Sequence, residues 1–186
     1  MSVRFDLDPS VTPELHDGIC ALWETVSTAD GAVGFVPPVT REDIRPELLK
    51  HLTDMAEGRT RLLVGRDGGG TSRSSGAGSG GGRVLATAFL TLNTHRLMKH
   101  WLWVYTVMVH PALQGRGTGR ALMAAVADAA RTLDGIRGIR LTCRGGTGLH
   151  RFYEACGYKE VGRVPDAIKV ADDDYREDIT MWLDLA

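Results

Sequence analysis

Val107–Met123, VMVHPALQGRGTGRALM, runs an apolar segment through a proline into a turn with glycines at 115, 117 and 119, and then into a helix-like pattern. Upstream, Trp101–Val109 (WLWVYTVMV) is aromatic or β-branched with both faces apolar, as a central strand covered on both sides requires. Downstream, Leu122, Val126, Ala129 and Leu133 share one helical face. The stretch is therefore a strand, a glycine-rich turn and a helix. At a helix start the backbone N–H groups lack internal acceptors and the dipole is positive, so several donors converge on an anion held in the turn. Gly115, Gly117 and Gly119 let the main chain approach such a ligand without a Cβ, and Arg116 and Arg120 add charge.

Two familiar phosphate-binding patterns do not fit. A Walker loop ends in GK[ST], whereas Gly119-Arg120-Ala121 supplies neither the lysine nor the magnesium-binding hydroxyl. A dinucleotide fingerprint wants an acid at the end of a following strand, and Asp134 falls at the helix end instead.

Composition narrows the class. With 186 residues and 43% hydrophobic content, one domain with a real core is expected over 1–186. Twenty-two basic against 23 acidic side chains leave a net charge of −1, which predicts no nucleic-acid partner and no membrane-surface partner. The start, MSVRFDLDPSVTPELHDG, has no apolar stretch behind a basic region, and nothing approaches the roughly 18 apolar residues of a span, so a cytoplasmic location is expected. Cys20, Cys143 and Cys156 lie far apart with no CxxC or histidine-rich spacing, which argues against a disulfide framework and against a metal site.

VRFDL reads as a first strand. Thr12 caps a helix with Pro13 in its first turn, and Leu15, Ile19, Leu22 and Val26 form its apolar face. STADGAVGFVPPV is a loop, after which Thr40 opens a second helix with Ile44, Leu48, Leu52 and Met55 on one face; Pro46 leaves its first turn undecided. TRLLVG and VLATAFLTL read as partnered strands. Between them residues 66–83, rich in Gly and Ser, are too poor in apolar side chains to offset the entropy of ordering, so a flexible hairpin extension is expected there.

Val109-x-Pro111-x-x-Gln114-x-x-Gly117-x-Gly119, followed by RALM, resembles the acyl-CoA signature of the GCN5-related N-acetyltransferase (GNAT) superfamily. LHRFYEACGYKEVG resembles the family's later helix and strand, and GIRLTC and EDITMWLDL, with Ile179, Met181, Leu183 and Leu185 alternating, complete the order of elements. LWETVSTADGAVGFVPP and EVGRVPDAI are loosely similar to the tabtoxin-resistance branch. The resemblance implies an α/β (α+β) fold, with a mixed central sheet of about six to seven strands flanked by about four helices. It also implies acetyl-CoA as cosubstrate, no metal, and transfer of acetyl to the primary amine of a small molecule, with a homodimer as a possible assembly.

By that resemblance the pyrophosphate sits on the N–H groups of Gln114, Gly115, Arg116, Gly117, Thr118, Gly119 and Arg120. The pantetheine arm pairs with the main chain of Val107, Met108 and Val109 like a short extra strand. Tyr153 matches the position from which the family protonates the CoA sulfur. Two alternatives stay open: an acyl donor bound to a carrier protein, for which Arg116, Arg120 and Arg144 are a candidate basic patch, and CoA binding without turnover.

No carboxylate occurs in VLATAFLTLNTHRLMKHWLWVYTVMV, where several relatives place a glutamate base. His95 and His100 are candidate bases in the intervening segment, with a water-mediated route favoured over a dedicated base. His110 is expected to pack near CoA; His150 lies one turn before Tyr153; Gly146 replaces an asparagine common in relatives. Acceptor selectivity is expected from the first two helices with their loop and from the connection VPDAIKVADDDYRED, where Asp172, Asp173, Asp174, Glu177 and Asp178 can attract a cationic amine. Trp101, Trp103 and Tyr105 are candidates for an apolar slot or for core.

Overall fold

Strand β1 (Val3–Leu7) leads into helix α1 (Pro13–Thr28), capped by the Thr12 hydroxyl, which accepts from the Leu15 N–H at 3.3 Å. Helix α2 (Arg41–Ala56) starts on a reciprocal cap: Thr40 accepts from the Asp43 N–H, and the Asp43 carboxylate accepts from the Thr40 N–H. Pro46 is accommodated inside this helix. The computed structural model describes residues 3–68 and 82–185.

Strands β2 (Thr60–Asp67), β3 (Val84–Leu92), β4 (Trp101–Val109), β5 (Gly138–Arg144), β6 (Lys159–Ala171) and β7 (Asp174–Asp184) join β1 in a seven-stranded sheet of order β1-β2-β3-β4-β5-β7-β6. Helices α3 (Thr118–Arg131) and α4 (Leu149–Glu154) complete the expected set. Only the β4–β5 pair is parallel, so the sheet is mixed. Of the Gly/Ser segment expected to be flexible at 66–83, Arg66 and Asp67 end β2, Gly82 and Arg83 precede β3, and the expectation for 69–81 lies outside the described residues.

Each sheet face carries its own core. Leu122, Val126 and Ala130 of α3 pack on Leu102, Val104, Ile139 and Met181. On the other face Leu15, Ile19, Trp23, Ile44 and Leu48 of α1 and α2 cover Leu62, Val64, Phe89 and Met108. Strand β4 changes face between these two lists. Leu102 and Val104 point to the α3 side, yet Met108 points to the α1/α2 side, because the register against β3 gains one residue between Tyr105 and Met108. Thr106 sits at that bulge with φ 51°, a left-handed conformation costing a β-branched residue about 1–3 kcal/mol.

Beyond Trp103↔Arg140 the β4–β5 ladder stops, while β5 stays paired with β7 along its whole length. The bulged half of β4 therefore leaves a bare edge. A further difference from expectation lies at VPDAIKVADDDYRED, which forms the end of β6, a turn and the start of β7 rather than a loose connection. Strand β6 is one of the sheet's two edges, and Pro165 falls where its register against β7 shifts, between Val164 and Ile168.

Candidate active site

Where β4 and β5 part, two cavities meet. One, about 670 Å3, lies between the glycine-rich turn, α4 and Ala29–Ala32 of the α1–α2 loop. The other, about 520 Å3, lies on the α1/α2 side. Ala32, Val107 and Tyr153 line both. A molecule in one cavity can thus reach a molecule in the other at these three residues.

In the turn, Gly115 has φ 70° and Gly117, the residue capping α3, φ 85°. Both adopt the left-handed region that favours glycine. Gly119 is needed for a different reason: a Cβ there would stand 3.1 Å from the Phe152 ring, so its absence lets α3 close on α4. Gln114 Nε2 donates to the Val109 carbonyl at 3.0 Å, which ties the turn back to the strand it leaves. Of the residues expected to hold a cofactor, Val107, Val109, Gln114, Gly115, Gly117, Gly119 and Arg120 line the larger cavity. Met108, Arg116 and Thr118 are not in its wall; the Met108 side chain is fully buried on the α1/α2 face. His110 is elsewhere too: its Nδ1 accepts from the Ala112 N–H at 3.2 Å, its Nε2 lies 2.9 Å from Arg83, and it lines a separate hollow beside α1.

Tyr153 is 6% exposed, packed edge-on against Phe152 and Tyr158 at 5.1 and 5.7 Å. Burial pushes its phenol far above the usual range, so it carries its proton at every pH the enzyme meets. Gly146 has φ 79°, and the Arg176 guanidinium stands 2.5 Å from where a Cβ would lie. His95 and His100 are exposed in the segment joining β3 to β4, at the end where β4 and β5 are still paired. They line neither cavity, which removes them as bases acting in the cleft.

Residues 77–158 match the Acetyltransferase (GNAT) family. That segment, under half of the chain, is similar to a GNAT acetyltransferase domain and holds both β4 and the glycine-rich turn. The chain's fold is similar to that of a phosphinothricin N-acetyltransferase-like protein, at 19% identity, TM-score 0.72, and coverage of 98% of this chain and 99% of the other. It is also similar to the acetyltransferase-like yncA of Salmonella typhimurium, solved with its cofactor acetyl-CoA (17% identity, TM-score 0.72, 100% and 95% covered). A spermidine N-acetyltransferase chimera of Vibrio cholerae SpeG and hSSAT matches at 16% identity and TM-score 0.69, covering 97% and 95%. No curated protein matches the chain in sequence. The family match and these relatives together support acetyl transfer in general terms. Among its described residues no helix is long and apolar enough to cross a membrane.

The α1/α2-side cavity is walled by Trp23, Phe35, Glu47, His51, Tyr105 and Cys143, among others. The loop is pinned by the Trp23 indole, which donates to the Val33 carbonyl at 2.8 Å and meets Phe35 edge-on at 5.6 Å. Tyr105 reaches this cavity; Trp101 and Trp103 do not, and the Arg140 guanidinium covers Trp103 at 4.5 Å. Of the five late acids only Asp178 lines it. Asp172 pairs with Lys169 at 3.1 Å, Asp174 with Arg176, and Glu177 with Arg163 at 2.8 Å. His51 was not singled out by sequence. Its signal was its position three residues after Leu48 and four before Met55, on the inward face of α2.

Proposed function

We propose that this chain is an acetyl-CoA-dependent N-acetyltransferase that acetylates the primary amine of a small molecule by direct attack on the thioester. One observation carries the reading: two cavities, one on the glycine-rich turn and one walled by aromatic and acidic side chains, meet at Val107 and Tyr153. The residues present fit acetyl-CoA, because the β4 edge beyond Trp103 is unpaired on the β5 side and the turn presents its N–H groups from left-handed glycines.

When bound, acetyl-CoA supplies an activated acetyl carbonyl. Val107 and Val109 offer main-chain groups to hold an extended arm, and Gly115 to Arg120 hold the anionic end. Tyr153, buried and protonated, donates to the sulfur as it leaves. Bringing the amine and the carbonyl together at Val107 supplies much of the rate. Direct transfer is also supported by Cys143, the one cysteine in the amine-side cavity among the described residues, whose thiol is pushed up to about 11 by burial and, next, by Asp178. It stays protonated and is a poor nucleophile.

The phosphinothricin and spermidine of the two structural relatives' names are both small amines, in keeping with an acceptor of that size. A carrier-protein donor is less favoured, because Arg144 is only 10% exposed and is engaged by Asp30, leaving Arg116 and Arg120 as a thin patch. The test is thiol release from acetyl-CoA over an amine panel, with CoA binding followed by calorimetry. Amine-dependent release supports the proposal; saturable binding without any acceptor-dependent release favours a binding protein, and no binding at all sinks both.

A further inference from the structure

No carboxylate stands on β3, β4 or β5, the strands on either side of the opening, so an amine arriving there needs a group from another element to take its proton. We propose that His51, on the inward face of α2, is that proton acceptor; the inference rests on the N-acetyltransferase reading above. The imidazole stacks on Phe89, with ring centroids 4.4 Å apart and planes inclined by 16°, and is flanked by Trp23 at 6.2 Å and Tyr105 at 6.3 Å. This aromatic box fixes the ring plane and turns its Nε2 edge toward β4. Nε2 points at the β4 bulge, 3.4 Å from the Thr106 hydroxyl, and Thr106 is the residue before Val107, where the two cavities join. The bulge thus brings a residue of α2 to the place where the acyl group must be attacked.

The other titratable groups of the cavity are worse placed. Tyr105, Tyr153 and Cys143 all have their acidities weakened by burial and hold their protons. Arg144 and Lys169 are cations, and Glu47 is paired with Lys50 at 2.7 Å. Asp178 is the nearest rival: it lines the same cavity from β7 with one carboxylate oxygen unpartnered, and the variants below decide between it and His51. Around His51, burial lowers its basicity; Asp54 and Glu47 on its own helix oppose that, and Lys50 adds to it. Across from it, α1 presents Trp23, β3 presents Phe89, and β4 presents Tyr105 and Thr106, of which only the protonated Tyr105 is titratable. His51 is therefore neutral at pH 7 and able to accept.

The step balances as follows. The amine lone pair forms the C–N bond to the acetyl carbon while one N–H proton passes to His51 Nε2, directly or through one water. The C–S bond breaks with its electron pair on sulfur, which takes the Tyr153 phenolic proton. His51 then gives its proton to solvent and Tyr153 regains one, so the net products are amide and free thiol.

The test is His51→Gln, assayed with an amine the wild type turns over. We expect kcat to fall about 100-fold, in the range of a lost general base, with CoA affinity by calorimetry within about twofold and the acidic limb that the free enzyme contributes to the kcat/KM profile gone. A readout without turnover comes from NMR titration of the histidine imidazoles in the free protein, His51 being the signal missing in the variant. It should titrate below the ordinary 6.5 and coincide with the wild-type acidic limb. Should His51→Gln fail to fold, that coincidence in the wild type decides alone. A variant within about threefold of wild type that keeps the acidic limb overturns the proposal, as does an imidazole titrating about one pH unit or more from the limb. Loss of the limb in Asp178→Asn but not in His51→Gln overturns it in favour of Asp178. A wild type that releases no thiol with any amine overturns the function itself, and the role of His51 with it.

Discussion

Arg144 Nη2 lies 3.3 Å from the main-chain carbonyl of Asp30 and 3.6 Å from its carboxylate, bridging the end of β5 to the loop between α1 and α2. That loop walls both cavities, with Ala29–Ala32 on one side and Ala32–Val36 on the other. The Asp30 carboxylate is 85% exposed, so the ion pair itself contributes about 0–1 kcal/mol. The bond from a guanidinium to a carbonyl matters more. Arg144→Gln should loosen the loop and raise KM for both substrates together by about fivefold, the equivalent of about 1 kcal/mol. Steady-state kinetics with each substrate varied in turn checks this; a rise for one substrate alone would mean that Arg144 contacts that substrate instead.

Two glycines of the turn should fail in different ways. Gly119→Ala places a methyl 3.1 Å from the Phe152 ring and should cost about 1 kcal/mol by overpacking, relieved when Phe152 is also shortened to Leu. Gly117→Ala meets no atom within 4 Å but forces alanine to φ 85°, costing about 1–2 kcal/mol. Gly117→Asn should recover part of that, and Phe152→Leu should recover none. Thermal unfolding of the singles and doubles separates contact from backbone strain.

Most of the fold was legible because local pattern and tertiary role agree. The apolar faces of α1, α2 and α3 are the buried ones, and WLWVYTVMV is the middle strand of seven. The β6–β7 hairpin was misread because Pro165 and a run of aspartates look like a break, whereas an exposed edge strand tolerates both. The turn itself was legible from its glycines, two of which adopt the left-handed region. The α1/α2-side cavity was not, for a geometric reason: a one-residue bulge at Thr106 in the β3–β4 pairing and the early end of the β4–β5 ladder leave no mark in composition. That bulge places His51, 55 positions away, at the cleft and leaves His95 and His100 at the closed end.

Cys143 offers a check on direct transfer. With its thiol at about 11, only about one molecule in a thousand carries a thiolate at pH 8. Incubation with acetyl-CoA in the absence of amine should give no acetyl adduct by intact-protein mass spectrometry, and Cys143 should react with iodoacetamide far more slowly than a free thiol. An acetylated Cys143 that decays when amine is added would replace direct attack with a two-step route.

Tyr153→Phe removes the phenol proposed as proton donor while keeping the ring that packs on Phe152 and Tyr158. Turnover should fall about 10- to 100-fold, with CoA affinity retained. The sign of the pH effect follows from the direction of the shift: burial raises the phenol above its ordinary 10, so the acid form needed for donation persists up to and beyond that pH. The wild-type kcat profile should therefore show no alkaline limb from this group below pH 10. An alkaline limb near 8 or 9 that disappears in Tyr153→Phe would mean that the phenol loses its proton in the working enzyme, and Tyr153 would then be acting as a base toward the amine.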